Sequence, residues 1–175
     1  MSPRNQSAAL PLAWLTLHIL IVLNWVFGVC ILALLAYIFI DQPFLLRALR
    51  LGSVAENPPL VIGIRAIAAL GLVGIPLNYA VLKRLLAMVE TVRKGDPFVD
   101  ENAYRLNAIA WLLLALQLLS LVVGAIGKAI STPAHPLHLD AGFSTSGWLA
   151  VILTFVLARV FVEGTLMRED LQGTV

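Results

Sequence analysis

Charge is scarce in this chain. Of its 175 residues, 13% are charged and 60% are hydrophobic, and the mean hydropathy is +0.92. Soluble domains hold about 25% charged and about 45–50% apolar residues, so this composition excludes an ordinary water-soluble fold. Twelve Lys and Arg against ten Asp and Glu leave a net charge of +2 with no basic stripe, which argues against direct nucleic-acid binding. Cysteine is nearly absent: Cys30 stands alone in an apolar run, so no internal disulfide forms. Phe27 and Val29 beside it do not fit the small-residue pattern of lipoprotein cleavage. The first apolar run is too long for a signal peptide and lacks an Ala-x-Ala-like cleavage site, so it reads as a retained helix. His-Glu-x-x-His, Gly-x-Ser-x-Gly, Walker and dinucleotide-binding patterns are all missing. The sequence is therefore read as non-enzymatic, with no cofactor.

What is present is long apolar runs. A hydrocarbon core about 30 Å thick needs about 20 residues at a helical rise of about 1.5 Å each. Four stretches qualify as membrane spans, at about 13–40, 60–82, 108–127 and 147–162. They must be helical, because hydrocarbon offers no partner for unpaired backbone groups, and the continuous runs exclude a barrel. Lys and Arg set the orientation. Arg4, Lys83, Arg84, Arg93, Lys94, Arg105 and Arg168 fall on one side, against Arg47, Arg50 and Lys128 on the other, which places both termini and the 83–105 segment in the cytoplasm. Trp14 and Tyr104 then lie at the inner interface and Trp148 at the outer one.

The connections differ in character. Residues 41–59 are bounded by Pro, and Phe44, Leu45, Leu46 and Leu49 against Arg47 and Arg50 read either as an amphipathic surface segment or as an extension of the first helix plus a loop. Leu82, Leu85, Leu86, Val89 and Val92 keep a helical period beyond the second span, so that helix continues into the cytoplasm and stops at Gly95. Asp96-Pro97 turns the chain, and Val99 or Asp100 starts the third helix, whose Asp100 and Glu101 suit a helix N-terminus. Residues 131–146 are rich in Pro, Ser, Thr and Gly and read as a loop. The expected fold is all-α: a four-transmembrane-helix bundle in one domain, with helices at about 13–40, 60–94, 101–127 and 147–170. The second helix has a cytoplasmic extension, and the chain ends in a short cytoplasmic helical tail.

Two segments carry a family resemblance. One is Gly95-Asp96-Pro97-Phe98 followed by Glu101-Asn102 and Arg105-Leu106; the other runs from Ala158 through Phe161, Glu163-Gly164 and Leu166-Met167-Arg168-Glu169-Asp170 to Thr174-Val175. Together they resemble the bacterial multi-pass membrane proteins grouped as domain of unknown function 2975. The sequence departs from that pattern at Val99, where a Thr-like helix cap is usual, and at Asp100, where Pro is common. It departs again at Arg159, in an acidic position, and at Val162, in a basic one. The resemblance implies a bacterial inner-membrane protein without established activity. It also implies a cytoplasmic regulatory partner of helix-turn-helix type, because such regulators are often encoded beside the family.

The candidate residues fall in two groups. Gly95, Pro97, Phe98, Asn102, Arg105, Arg159 and Glu163 form a candidate cluster on the cytoplasmic rim. Arg159 and Glu163 are one turn apart, but their order is the weaker one for a helix pair. That favours partners on other helices: Lys83, Arg84 or Arg105 for Glu163, and Glu90 for Arg159, as a charged staple holding the tail to the hairpin. Arg65, Asn78 and Gln117 form a candidate intramembrane polar site. Arg65 reads as snorkelling or bonded to a carbonyl, and Gln117 and Asn24 as interhelical hydrogen-bond donors, ahead of a substrate, ion or pore role. Gly63, Gly71, Gly74 and Pro76 read as packing residues ahead of a gate, with Pro76 able to kink the helix. His135, His138 and Asp140 offer only three zinc ligands on a Pro-rich loop and read as solvated. The leading functional expectation is an accessory or regulatory membrane protein with a cytoplasmic docking surface. The alternative is a small oligomeric transporter or channel built around the second span.

Overall fold

The computed structural model describes residues 9–40, 58–131 and 141–173. Among these residues it contains four α-helices and no strand: α1 Ala9–Ile40, α2 Pro58–Arg93, α3 Asp100–Ile130 and α4 Thr145–Gly173. All four are long and apolar enough to cross a bilayer, and the chain is a multi-pass membrane protein. The helices extend past the apolar runs that announce them. Pro11 in α1 and Pro58 and Pro59 in α2 sit in first turns, where a missing N–H breaks no helical bond. At the end of α3, Lys128 adds a cation to the last turn, so the helix runs on from Gly127 to Ile130. Helix α4 starts at Thr145 rather than 147, which removes two residues from the expected 131–146 loop. Pro76 lies inside α2, and the helix continues through it to Arg93. The candidate surface segment at 41–57 lies outside the described residues.

The chain forms two compact units. One comprises Met1–Asn24, Asn78–Leu114 and Ser146–Val175, and the other Trp25–Leu77 and Ala115–Thr145. In the second unit, contact depends on small residues, as expected where lipid gives helices no hydrophobic drive to associate. Leu60 and Val61 are buried against Ile64 and Ile130. Gly63 faces Ile130 so closely that a Cβ there would lie 2.5 Å from Ile130 Cγ2. On α3, Gly124 lies beneath the backbone that leads into α4: an added Cβ would be 2.6 Å from Gly142 Cα and 2.7 Å from the Ala141 carbonyl oxygen. Gly142 has a φ of +127°, a region that L side chains rarely adopt, and its N–H donates to Ser120 Oγ at 3.2 Å.

The first unit packs Val81 of α2, Ala103, Leu106, Ile109 and Ala110 of α3, and Val151 and Ala158 of α4 in buried positions. Trp111 meets Phe155 edge-on, with ring centroids 5.4 Å apart. The Trp14 and His18 rings of α1 lie 4.0 Å apart, and the Arg93 guanidinium of α2 sits 5.9 Å from the Trp14 ring. Large apolar side chains such as Val22, Phe27, Ile62, Leu149 and Val156 are exposed. In water such a surface would drive aggregation, whereas in a bilayer it meets lipid.

Gly124→Ala forces a methyl against backbone, which cannot rotate away. It is expected to cost about 1–3 kcal/mol, the usual range for overpacking, read as a lower unfolding temperature in mild detergent. Gly74→Ala is the control: its Cβ meets only Leu119 Cδ2 at 3.6 Å, an ordinary contact, and little change in unfolding temperature is expected.

Candidate functional site

The turn joining α2 to α3 is built by its own backbone. Gly95 has a φ of +86°, the left-handed conformation in which helices commonly end. The Gly95 N–H donates to the Val92 carbonyl at 3.0 Å, and the Asp96 N–H reaches back to the Thr91 carbonyl at 3.2 Å. This pair of bonds is a Schellman closure, and it satisfies carbonyls that the end of α2 would otherwise leave open. Pro97 cannot continue a helix, and Val99 begins the next one. The Val99 carbonyl accepts from the Asn102 N–H at 2.9 Å and from the Ala103 N–H at 3.4 Å. Valine offers no capping oxygen, so the first turn of α3 relies on Asp100 and Glu101 to complement the helix dipole.

Asn102 ties this turn together. Its side chain is fully buried. A helical side chain leans toward the N-terminus of its helix, so the Asn102 amide points back into the turn. There Nδ2 donates to Thr91 Oγ1 at 2.6 Å and to the Pro97 carbonyl at 2.9 Å, while Oδ1 accepts from the Arg105 guanidinium at 2.8 Å. Thr91 Oγ1 in turn donates to the Met88 carbonyl at 2.7 Å. One amide therefore spans the end of α2, the middle of the turn and the first two turns of α3.

Helix α4 joins the same unit through Arg168 and Phe98. Two guanidinium nitrogens of Arg168 engage both Asp96 carboxylate oxygens, the second contact measuring 3.2 Å, and Nη1 also donates to the Phe98 carbonyl at 2.9 Å. The Phe98 ring lies over Gly164, where an added Cβ would come within 3.0 Å of it, and 5.3 Å from the Phe161 ring. Glycine at 164 therefore forms the seat for the turn's aromatic side chain. Thr165, almost fully buried beside it, donates back to the Phe161 and Val162 carbonyls of its own helix.

Gly95, Pro97, Phe98, Asn102 and Arg105 all belong to this assembly, but the charged staple has different members from those the sequence indicated. Arg159 pairs with Glu163 of its own helix at 3.0 Å. Arg105 is on Asn102, Arg84 donates to the Ala80 carbonyl at 3.0 Å, and Lys83 lies 6.0 Å from the Tyr79 ring. The reason is exposure: Arg159 and Glu163 sit on an open face of α4, so the partner one turn away is the one within reach. The staple between tail and hairpin is Arg168 with Asp96. Neither that pairing nor the roles of Thr91 and Gly164 were anticipated from the sequence. The signal for Gly164 was its place in the Glu163-Gly164 pair, while Thr91 carried none.

The intramembrane candidates fall in both units. Asn78 is exposed and belongs to the unit of the hairpin, whereas Arg65 and Gln117 belong to the other. The Arg65 guanidinium lies 4.6 Å from the Phe39 ring, a cation–π contact with α1. Its Nε and the Nε2 of the buried Gln117 have no hydrogen-bond partner among the described residues. His135, His138 and Asp140 lie outside the described residues.

The profile of a family described as "Protein of unknown function (DUF2975)" matches residues 10–175. No curated protein and no solved structure matches the chain.

Burial separates the two polar ties of the hairpin. Asn102→Ala removes a fully buried amide, strands its part-buried partners on three segments, and is expected to cost about 1–3 kcal/mol. Asp96→Asn weakens a contact between groups that are each 42% exposed, so water screens it, and it is expected to lower the unfolding temperature less. Unfolding temperatures of the two variants in the same detergent test that order.

Proposed function

The chain belongs to the DUF2975 family of proteins of unknown function, and from that membership and the hairpin we propose a non-enzymatic accessory or regulatory protein of the bacterial inner membrane. Its docking surface is the α2–α3 turn, facing the cytoplasm with both termini on the same side. The observation that supports this reading is a fixed turn with unspent side chains on its outside. Asn102 and the Schellman closure hold the backbone, while the side chains of Lys94 and Glu101 are exposed and make no hydrogen bond or ion pair among the described residues. A rigid surface loses little conformational freedom on binding, which favours recognition. The charge bias toward this end agrees with a cytoplasmic placement. The partner is a cytoplasmic regulatory protein, with a helix-turn-helix protein as the candidate by family resemblance.

A photo-crosslinking residue placed at Lys94 or Glu101 in living cells is expected to yield a discrete protein adduct. The same residue at Val156, on an exposed apolar face of α4, is expected to yield none. The reading is overturned if neither turn position gives an adduct at normal expression.

A second reading, a small oligomeric transporter or channel, is favoured by Arg65 Nε and Gln117 Nε2, which lie in the spans without a hydrogen-bond partner among the described residues. Buried polar groups without partners are expensive in hydrocarbon and often mark a ligand or ion path. Proteoliposomes carrying a pH-sensitive dye or loaded with potassium test it. A flux abolished by Gln117→Leu supports this reading, and no flux above empty liposomes dismisses it for protons and potassium.

A further inference from the structure

The first unit has a cleft of about 540 Å³ between α3 and α4, separate in role from the docking surface. Its polar lining includes Asp100, Tyr104 and Asn107 of α3 and Arg159 of α4, and its apolar lining includes Phe155 and Val162. The volume falls within the range of about 300–1,000 Å³ typical of small-molecule sites.

The lining has two properties that together point to one class of ligand. First, its hydrogen-bonding capacity is largely unspent. Arg159 commits Nε to Glu163, and its two terminal nitrogens make no bond among the described residues. Asp100, Tyr104 and Asn107 make none either, and all three are exposed. Second, the cleft straddles the boundary between charged and uncharged helix. In α3, charges occur at Asp100, Glu101 and Arg105 and then not until Lys128; in α4, none precedes Arg159. A ligand filling this space must be polar at one end and apolar at the other. In a multi-pass membrane protein the amphiphile in vast excess is lipid.

The charges narrow the headgroup. A purely anionic phosphate group would suit Arg159 and oppose Asp100. A headgroup with an anion and a hydrogen-bonding cation meets both, with phosphate on the free Arg159 nitrogens and ammonium on the Asp100 carboxylate. Phe155, one turn into the uncharged part of α4 from Arg159, then faces the first acyl carbons, and exposed Tyr104 has the amphipathic character typical of interfacial aromatics. We propose that the α3–α4 cleft is a binding site for a zwitterionic glycerophospholipid with a primary ammonium headgroup, of the phosphatidylethanolamine kind.

The test uses the full chain purified in mild detergent from membranes that contain phosphatidylethanolamine, phosphatidylglycerol and cardiolipin, with retained lipid read by native mass spectrometry. Retention of phosphatidylethanolamine above its share of the membrane is expected. Arg159→Gln and Asp100→Asn are each expected to lower that retention about tenfold, the worth of one charge-assisted hydrogen bond, Arg159→Gln at unchanged unfolding temperature and Asp100→Asn with a small drop from the lost helix N-terminal charge. Asp100→Lys makes the polar lining cationic and is expected to switch the preference to phosphatidylglycerol. These substitutions change exposed side chains without filling the core, so folding is not the limiting variable. Equal retention of all lipids by the unsubstituted chain overturns the proposal, as does a preference for cardiolipin or phosphatidylglycerol in place of phosphatidylethanolamine. It is also overturned if Asp100→Lys leaves the lipid preference unmoved.

Discussion

A peptide group in hydrocarbon has no hydrogen-bond partner except another peptide group, and the four long helices of this chain meet that requirement within themselves. The same requirement returns wherever a helix stops. A helix end leaves several N–H or C=O groups open, and the chain must close them as it turns. At the α2–α3 connection the closure is complete and local: a left-handed Gly95, two backward backbone bonds, and the buried Asn102 amide shared by Thr91, Pro97 and Arg105. The turn that results is stiff, and α4 docks on it.

The two units solve the packing problem with different chemistry. In the unit containing Gly63 and Gly124, close approach at glycine, to the Ile130 side chain at Gly63 and to backbone at Gly124, replaces the hydrophobic drive that lipid cannot supply. In the unit containing the hairpin, polar ties hold the helix ends: a fully buried amide, a guanidinium on a carboxylate, and an aromatic ring seated on Gly164. The buried tie is the stronger of the two polar ones. An exposed ion pair is weakened by water and salt, whereas a buried amide has no alternative partner once its bonds are removed. Arg168 therefore positions α4 against a turn that Asn102 has already shaped.

The proposed roles follow from what this construction leaves uncommitted. Stiffness without an occupied outer face suits a docking surface, which is why Lys94 and Glu101 carry the functional proposal. An amphipathic cleft with unspent charges at the edge of the apolar span suits a lipid, which is why Asp100 and Arg159 carry the further one. Arg65 Nε and Gln117 Nε2, without a hydrogen-bond partner among the described residues, serve neither role and keep transport as the alternative.

By itself the sequence determined four helices, close to their residue limits, and the Gly95 stop, because hydropathy and backbone preference are local properties that a contiguous segment displays. It also marked Asn102, Arg105, Phe98 and Gly164 through the family pattern, without saying what they touch. Only the tertiary structure decided the partners. Asp96 and Arg168 are 72 residues apart, and nothing in their neighbourhoods distinguishes that pairing from Glu163 with Arg105. The outcome depended on which faces of α3 and α4 meet and on how far each side chain reaches. Arg159 and Glu163 point to an open face, so they found each other. Helix limits are set by the chain's own composition, but a salt bridge is set by helix rotation and packing.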